Sequence, residues 1–179
     1  MSKVSLRYLA FPLLLLSLCC SACGHHLQPV KGESYSDPQG YFEVSMPWAK
    51  SHLRHNGWQL LSWKGIDFVL WDRTEGATIV VDVTPLKEEA DLANLTRHLL
   101  IAFERKQIIS QDIEQVQGRE AVKTLLEAWV ERTEIKAEIY VVRGEGVRYD
   151  IIFWAPRDAF PRTVEAFRQF LVGITFLQP

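Results

Sequence analysis

The two histidines His52 and His55 are the residue pair whose type and spacing best suit chemistry in this chain. A separation of three residues places both imidazoles on one face of a helical turn, where they could hold a metal such as zinc. No third ligand lies nearby in the sequence, although Asp67 or Asp72 could approach in space. A solvated polar turn is the better explanation of the pair. We therefore predict no metal site and retain His52 and His55 as the candidate ligands.

Clusters of carboxylates are the second arrangement that could do chemistry, because paired acids can act as general acid and general base. One cluster crowds the start of a predicted helix, where the helix dipole favours negative side chains. Another lies on neighbouring predicted strands among basic residues, which indicates cross-strand ion pairing. These ordinary roles explain both sets, so we predict no catalytic residue among them: Glu88, Glu89, Asp91, Glu127, Glu131, Glu134 and Glu138.

Motifs typical of catalysis are absent from the sequence. There is no Gly-x-Ser-x-Gly elbow, no His-Glu-x-x-His zinc motif and no phosphate-binding loop. The glycines of Gly144-Glu145-Gly146 are typical of a hairpin turn and lack the spacing of a dinucleotide site. We therefore expect a protein without enzymatic activity and without a cofactor.

Tryptophan is frequent, with six residues in a chain of 179. Most should lie in the core, since large aromatic side chains fill the space between layers. Trp58, Trp63 and Trp71 lie on two adjacent predicted strands. If their rings share one exposed surface, that surface would mark a site for a partner or a glycan. These three are the candidate partner-binding residues.

The amino-terminal residues are typical of a secretory signal peptide. Lys3 and Arg7 precede an apolar run over residues 8–18, which is shorter than the roughly 20 residues that cross a bilayer. Pro12 within the run argues further against a stable spanning helix. The segment therefore indicates export rather than a transmembrane anchor.

The end of this segment resembles a bacterial lipobox. Ser21 and Ala22 are the small residues required before the cleavage site, and Cys23 follows them as the predicted lipid-attachment residue. Cys19 or Cys20 would place a larger residue at the cut. Ordinary secretion and an uncleaved anchor are the alternatives.

Lipid on Cys23 would determine where the protein resides, because two or more acyl chains hold a protein stably on a bilayer. By the same resemblance, Gly24 in place of an aspartate implies the outer membrane. The prediction is a lipid-anchored protein of the bacterial cell envelope, on the periplasmic face of the outer membrane. Beyond Cys23 the chain has no cysteine, so its folded part has neither a disulfide nor a thiolate site.

Composition and charge fit one globular domain. Apolar residues make up 47% of the chain and charged residues 23%. The net charge is −2 and the basic residues are mixed with acids, so the basic patch that nucleic acid requires is missing. We assign residues 1–22 to the signal peptide, 23–39 to a flexible tether and 40–179 to a single domain.

Hydrophobic periodicity predicts a sheet-rich domain of the α+β class. Strands follow one another without alternating helices, so the β-sheet should be mainly antiparallel. Helices predicted over residues 91–106 and from 156 or 158 to 172 should cover its two faces, which gives a three-layer α/β/α sandwich. Strands are predicted over residues 41–46, 58–64, 66–73, 77–84, 108–117, 121–132, 134–143, 147–154 and 174–176.

Three stretches together resemble the PsbP-like family, named for an extrinsic lumenal protein of photosystem II and including many bacterial lipoproteins. The first runs from Asp37 to Trp48, and the second from Gly76 to Leu86. The third runs from Tyr149 to Phe153 and is followed by Phe160, Phe167, Ile174 and Phe176. The resemblance implies an antiparallel sheet between helices and a non-enzymatic accessory role. DcrB-like lipoproteins are similar in the same way.

The functional expectation joins the anchor to this resemblance. We expect a membrane-anchored, non-catalytic accessory or assembly domain that binds another component of the cell envelope. The alternatives are an envelope module that binds a small ligand or a metal, and an envelope hydrolase with an unrecognised site. The expected partners are the membrane, through the amino-terminal lipid, and another envelope protein.

Overall fold

The computed structural model describes residues 27–29, 34–46, 57–86, 91–130 and 132–177, which form eleven β-strands and two α-helices. The helices are α1 (Leu92–Leu100) and α2 (Phe160–Gly173). The strands are β1 (Leu27–Pro29), β2 (Ser34–Ser36), β3 (Phe42–Ser45), β4 (Trp58–Leu61), β5 (Phe68–Asp72), β6 (Thr78–Pro85), β7 (Glu104–Val116), β8 (Arg119–Val130), β9 (Thr133–Arg143), β10 (Val147–Pro156) and β11 (Ile174–Phe176).

Eight of these strands form one large sheet in the order β1-β4-β5-β6-β10-β9-β8-β7. Every neighbouring pair in it is antiparallel, which confirms the predicted sheet type. Strands β9 and β10 form the predicted hairpin, in which the Gly144 N–H donates to the Val147 carbonyl at 2.9 Å. The remaining strands form a small antiparallel sheet in the order β11-β3-β2.

Side chains of the large sheet divide into two cores, one on each face. Strand β6 shows the division, since Ile79 and Val81 belong to one core while Val80, between them, belongs to the other. Helix α2 and the small sheet cover the first face, and α1 covers the second. The predicted α/β/α sandwich therefore holds in part. Among the described residues one helix lies on each face, and the small sheet shares the cover of the α2 face.

Helix α1 is shorter than predicted. Its start is as expected, because the Asp91 carboxylate accepts a hydrogen bond from the Ala93 N–H at 3.2 Å. It ends at Leu100 instead of residue 106, and a turn places Phe103 in the α1-face core. The apolar spacing at Phe103 therefore reflects burial beyond the helix, and Glu104 already pairs with Trp129 of β8.

Helix α2 ends in close contact with the small sheet. It begins at Phe160, two residues after the predicted start at residue 158. Pro161 lies in its first turn, where proline is tolerated. A Cβ atom added at Gly173 would collide with the carbonyl oxygen of Ser45 on β3. Because glycine has no side chain, the backbone at Gly173 can lie close to Ser45, and the next residue, Ile174, pairs with Val44.

Two short strands lie within the segment that the sequence assigns to a tether. Strand β1 pairs with β4 in the large sheet, and β2 pairs with β3 in the small one. The signal segment, Cys23 and Gly24 lie outside the described residues. In the part of the chain that is described, no helix has the length and apolarity needed to cross a bilayer.

Candidate functional site

The predicted metal ligands His52 and His55 lie outside the described residues. The two carboxylates suggested to complete their site have roles within the fold. Asp72 Oδ1 accepts from the Thr74 N–H at 2.8 Å, and Asp67 Oδ2 accepts from the Val83 N–H at 2.7 Å. In the described ranges, no group of three or more histidine, cysteine or acidic side chains is placed to hold a metal ion.

The three candidate tryptophans do not form a common exposed surface. Trp58 is only 2% exposed and lies in the α2-face core. Trp63 and Trp71 are partly buried against the α1-face core. The register explains this separation: Trp58 lies opposite Asp72, so Trp71, one residue earlier in the chain, points to the other face. A buried indole at position 58 cannot contact a partner.

The acidic residues of the sheet form the expected cross-strand ion pairs. Arg157 approaches Glu134 at 2.8 Å and Glu127 at 3.6 Å. Lys123 of β8 approaches Glu138 of β9 at 3.7 Å, and Tyr140 donates to the same carboxylate at 3.0 Å. The other predicted residues of these clusters, Glu88, Glu89 and Glu131, lie outside the described ranges.

Strand β7 gives the protein a long exposed edge. It spans 13 residues at the end of the large sheet, and all but Ser110 and Val116 are exposed. Three of the exposed residues are apolar, with Ile108 and Ile109 each 47% and Ile113 78% exposed. Ile108 lies opposite Leu126 and Ile113 opposite Val122, so both lie on the α1 face of the sheet. Exposed isoleucines on an edge strand are typical of an interaction surface.

The two halves of β7 differ in regularity. Register shifts occur between Glu104 and Gln107 and between Ile108 and Ser110, whereas residues 110–116 pair with β8 without interruption. At the end of the strand, the Gln117 side chain donates to the carbonyls of Leu171 and Val172 at 3.1 and 2.9 Å. The regular half of β7 therefore pairs continuously with β8, and the residue that follows it is hydrogen-bonded to α2. Among the described strands its outer side has no neighbour.

A cleft lies between the turn after β2 and the β4–β5 connection. Its volume is about 340 Å³. The Tyr35 hydroxyl donates to the Asp67 carbonyl at 3.0 Å, and the Gln39 amide donates to Asp67 Oδ1 at 3.0 Å. Burial, and after it the charges of Asp37 and Asp67, raise the pKa of Tyr35 to about 12. The lining residues are Tyr35, Asp37, Pro38, Gln39, Leu60, Leu61, Ser62, Trp63, Ile66 and Asp67.

A buried ion pair lies on β10, under the α1 side of the sheet. An Arg148 guanidinium nitrogen is 2.8 Å from Asp150 Oδ2, and the side chains are 3% and 2% exposed. Burial, opposed by Arg148 and reinforced by nearby Asp82, raises the pKa of Asp150 to about 7. Two charges spaced two apart in an apolar strand must share a face, so the pairing was readable from the sequence. Their burial depends on the neighbouring strands and could not be predicted from the sequence.

Comparison with solved structures places this topology among known folds. Cyanobacterial PsbP (CyanoP) from Synechocystis superposes with a TM-score of 0.58 at 15% identity, covering 88% of this chain and 99% of that one. The fold is PsbP-like. This confirms the family resemblance at the level of fold, and the low identity extends it no further.

Two further structures share the PsbP-like fold. LpqN, described as involved in cell envelope biogenesis of Mycobacterium tuberculosis, gives a TM-score of 0.59 at 14% identity, covering 87% of this chain and 93% of LpqN. A protein of unknown function from Pseudomonas aeruginosa gives 0.53 at 13% identity, covering 68% and 92%. The sequence matches no protein-family model, and comparison with curated protein sequences gives no significant match.

Proposed function

We propose that this protein is a non-catalytic accessory domain of the cell envelope, anchored by lipid on Cys23, that binds another envelope protein through β7. The observation that carries the proposal is the exposure of Ile108, Ile109 and Ile113 on the edge strand of the large sheet. Monomeric proteins usually cover or charge such an edge. This edge also carries charged residues, but its three exposed isoleucines leave apolar surface that favours a partner.

The location rests on independent support. The signal segment ends in a lipobox-like sequence, and LpqN, which shares the PsbP-like fold, is described as a protein of cell envelope biogenesis. Lipid on Cys23 would hold β7 within reach of other envelope proteins. Placement at the outer membrane belongs to the same proposal and follows from Gly24.

The regular half of β7 suits the addition of a strand. A partner strand would take the outer backbone groups of residues 110–116, and its side chains on the α1 face would cover Ile113. Asp112 and Glu114 flank this isoleucine and carry negative charge. The complementary segment would therefore combine an apolar residue with basic neighbours. Fastening of the strand end by Gln117 reduces the ordering that binding requires.

A photo-crosslinking amino acid at position 113 of the full chain in its native envelope tests this proposal. The matched control places the same group at position 93, which is exposed at the start of α1 on the same side of the sheet. We expect one defined adduct from position 113 and none from position 93. Mass spectrometry then identifies the partner, and the reciprocal crosslink from that partner should return to β7.

Two substitutions separate docking from anchoring. Ile113→Lys should abolish the adduct formed from a crosslinker at position 109, whereas Ala93→Lys should leave it unchanged. Cys23→Ser should release the protein from the membrane and lower the adduct yield without changing its site. An adduct from position 109 that survives Ile113→Lys unchanged would contradict docking through β7.

A further inference from the structure

The cleft beside β2 is distinct from the β7 surface, and its charged lining residues are all negative. Its charged lining residues are Asp37 and Asp67, and neither lysine nor arginine lines it among the described residues. Burial raises the pKa of Tyr35, and the two carboxylates add to this by disfavouring loss of the phenol proton. The ligand that suits this cleft is therefore positively charged.

Asp37 is the residue whose hydrogen bonding is incomplete. It is 6% exposed, and its Oδ2 accepts from the Tyr41 N–H at 3.0 Å. Within the described part of the chain its other oxygen, Oδ1, is buried without a hydrogen-bond partner. A buried carboxylate oxygen in this state is costly, and a donor from a cationic ligand would remove that cost.

The remaining lining residues favour an organic cation over a metal ion. Each oxygen of Asp67 already accepts one hydrogen bond, from Gln39 or Val83, and two lining carboxylates supply few of the six to eight oxygens that a hard cation such as Ca²⁺ takes. The aromatic rings of Tyr35 and Trp63 can attract a cation through their faces. The side chains of Leu60, Leu61 and Ile66 suit hydrocarbon rather than a hydrated ion.

We propose that this cleft binds a primary ammonium group carried on a short alkyl chain. The ammonium donates to Asp37, and the alkyl chain packs against Trp63 and Ile66. The volume of about 340 Å³ lies at the lower end of small-molecule sites and matches a ligand of this size. A free amine and the lysine side chain of a peptide present the same chemistry.

Titration of the full-length protein in detergent tests the site with three probes, observed by nuclear magnetic resonance of the probe and of the tryptophan indoles. The probes are n-butylammonium, the capped peptide acetyl-Gly-Lys-Gly-amide and the neutral n-butanol. We expect an ammonium probe to shift the Trp63 indole signal and to bind at least tenfold more tightly than n-butanol, as loss of a charge-assisted hydrogen bond implies. Tighter binding of the peptide identifies a protein lysine as the source, and tighter binding of n-butylammonium identifies a free amine.

Two pairs of variants locate the charge. Asp37→Asn should weaken ammonium binding roughly tenfold, whereas Asp112→Asn on exposed β7 should leave it unchanged. Ser62→Lys on the cleft rim carries its own ammonium group and should compete with the probe, whereas Ser62→Met, of similar length, should not. Ser62 is exposed, so this second pair stays informative if Asp37→Asn impairs folding.

Three results would overturn the proposal. The first is equal binding of n-butanol and n-butylammonium, and the second is unchanged ammonium binding in both Asp37→Asn and Ser62→Lys. The third is that neither n-butylammonium nor the lysine peptide binds. None of them bears on the crosslink from position 113, so the cleft and the β7 proposal can fail separately.

Discussion

Strands β7 and β10 are two long strands of the same sheet with opposite environments. Nine of the ten residues of β10 are buried, including the charged Arg148 and Asp150, whereas β7 buries only Val116 and exposes three isoleucines. Position in the sheet explains the contrast, because β10 has neighbours on both sides and β7 lies at the edge. Residue type alone therefore does not decide burial in this protein: two charged residues lie buried in the centre of the sheet, and three isoleucines are exposed on its mostly polar edge.

The largest expected effect comes from breaking the buried ion pair. Above pH 7, where Asp150 is ionised, Arg148→Ala leaves its carboxylate buried without its partner and should lower the free energy of unfolding by roughly 3–5 kcal/mol. Lys106→Ala on exposed β7 should change it by less than about 0.5 kcal/mol. Urea unfolding of the full chain in detergent measures both.

The double variant Arg148→Met/Asp150→Leu sharpens this result. Replacement of both partners by apolar side chains should recover most of the loss, since no charge then remains buried. A double variant as unstable as Arg148→Ala would show that the pair stabilises the fold through contacts other than charge.

The next-largest expected effect comes from the same substitution, isoleucine to alanine, in β10 and in β7. Ile152→Ala on β10 should lower the free energy of unfolding by roughly 2–5 kcal/mol, because Ile152 is fully buried and the lost side chain leaves a cavity. Ile113→Ala on β7 should cost less than about 0.5 kcal/mol, as expected for a surface position. Equal losses at the two positions would contradict the assigned exposure of β7.

The dependence of stability on pH tests the environment of Asp150. Its pKa rises from the ordinary 3.8 to about 7 in the fold, chiefly through burial. Between about pH 4 and pH 7 the native state holds more protons at this site than the unfolded chain, so the free energy of unfolding should fall as pH rises and then level off. Asp150→Asn should remove this slope, and Asp112→Asn on β7 should retain it.

The smallest expected effect concerns the ion pair at the sheet edge. Glu114 of β7 lies 3.2 Å from Lys123, with side chains that are 42% and 26% exposed. Glu114→Gln should cost only about 0.2–1 kcal/mol, and the difference should shrink in 1 M salt because exposed charges are screened. A loss comparable with that of Arg148→Ala would show that β7 is covered.

Local sequence pattern predicted the centre of the sheet well. The β-branched run of β6 and the glycine turn between β9 and β10 are determined by residues close together in the chain, and the structure confirms both. The predicted end of α1 was wrong, because Phe103 continues the helical spacing of apolar residues whereas Glu104 already pairs with Trp129 of β8. Pairing with a residue 25 positions away leaves no local signal.

The candidate sites were harder to predict than the fold. Tyr35 and Asp37 fall in a polar stretch that resembles a tether, and their contact with the β4–β5 connection joins residues about 30 positions apart. The isoleucines of β7 were visible in the sequence, but their exposure depends on which strand lies at the edge. Trp58, Trp63 and Trp71 were grouped by closeness in the chain, and the alternation of β4 and β5 separates them.

The contact of Gly173 with Ser45 sets the order in which the domain can be completed. A ribosome makes β3 long before it makes β11, and β11 pairs with β3 directly after this glycine. The small sheet therefore remains open along one side of β3 until β11 has been synthesised. A chain truncated before Ile174 leaves β3 paired with β2 alone, so Phe42 and Val44 lose the cover that β11 supplies.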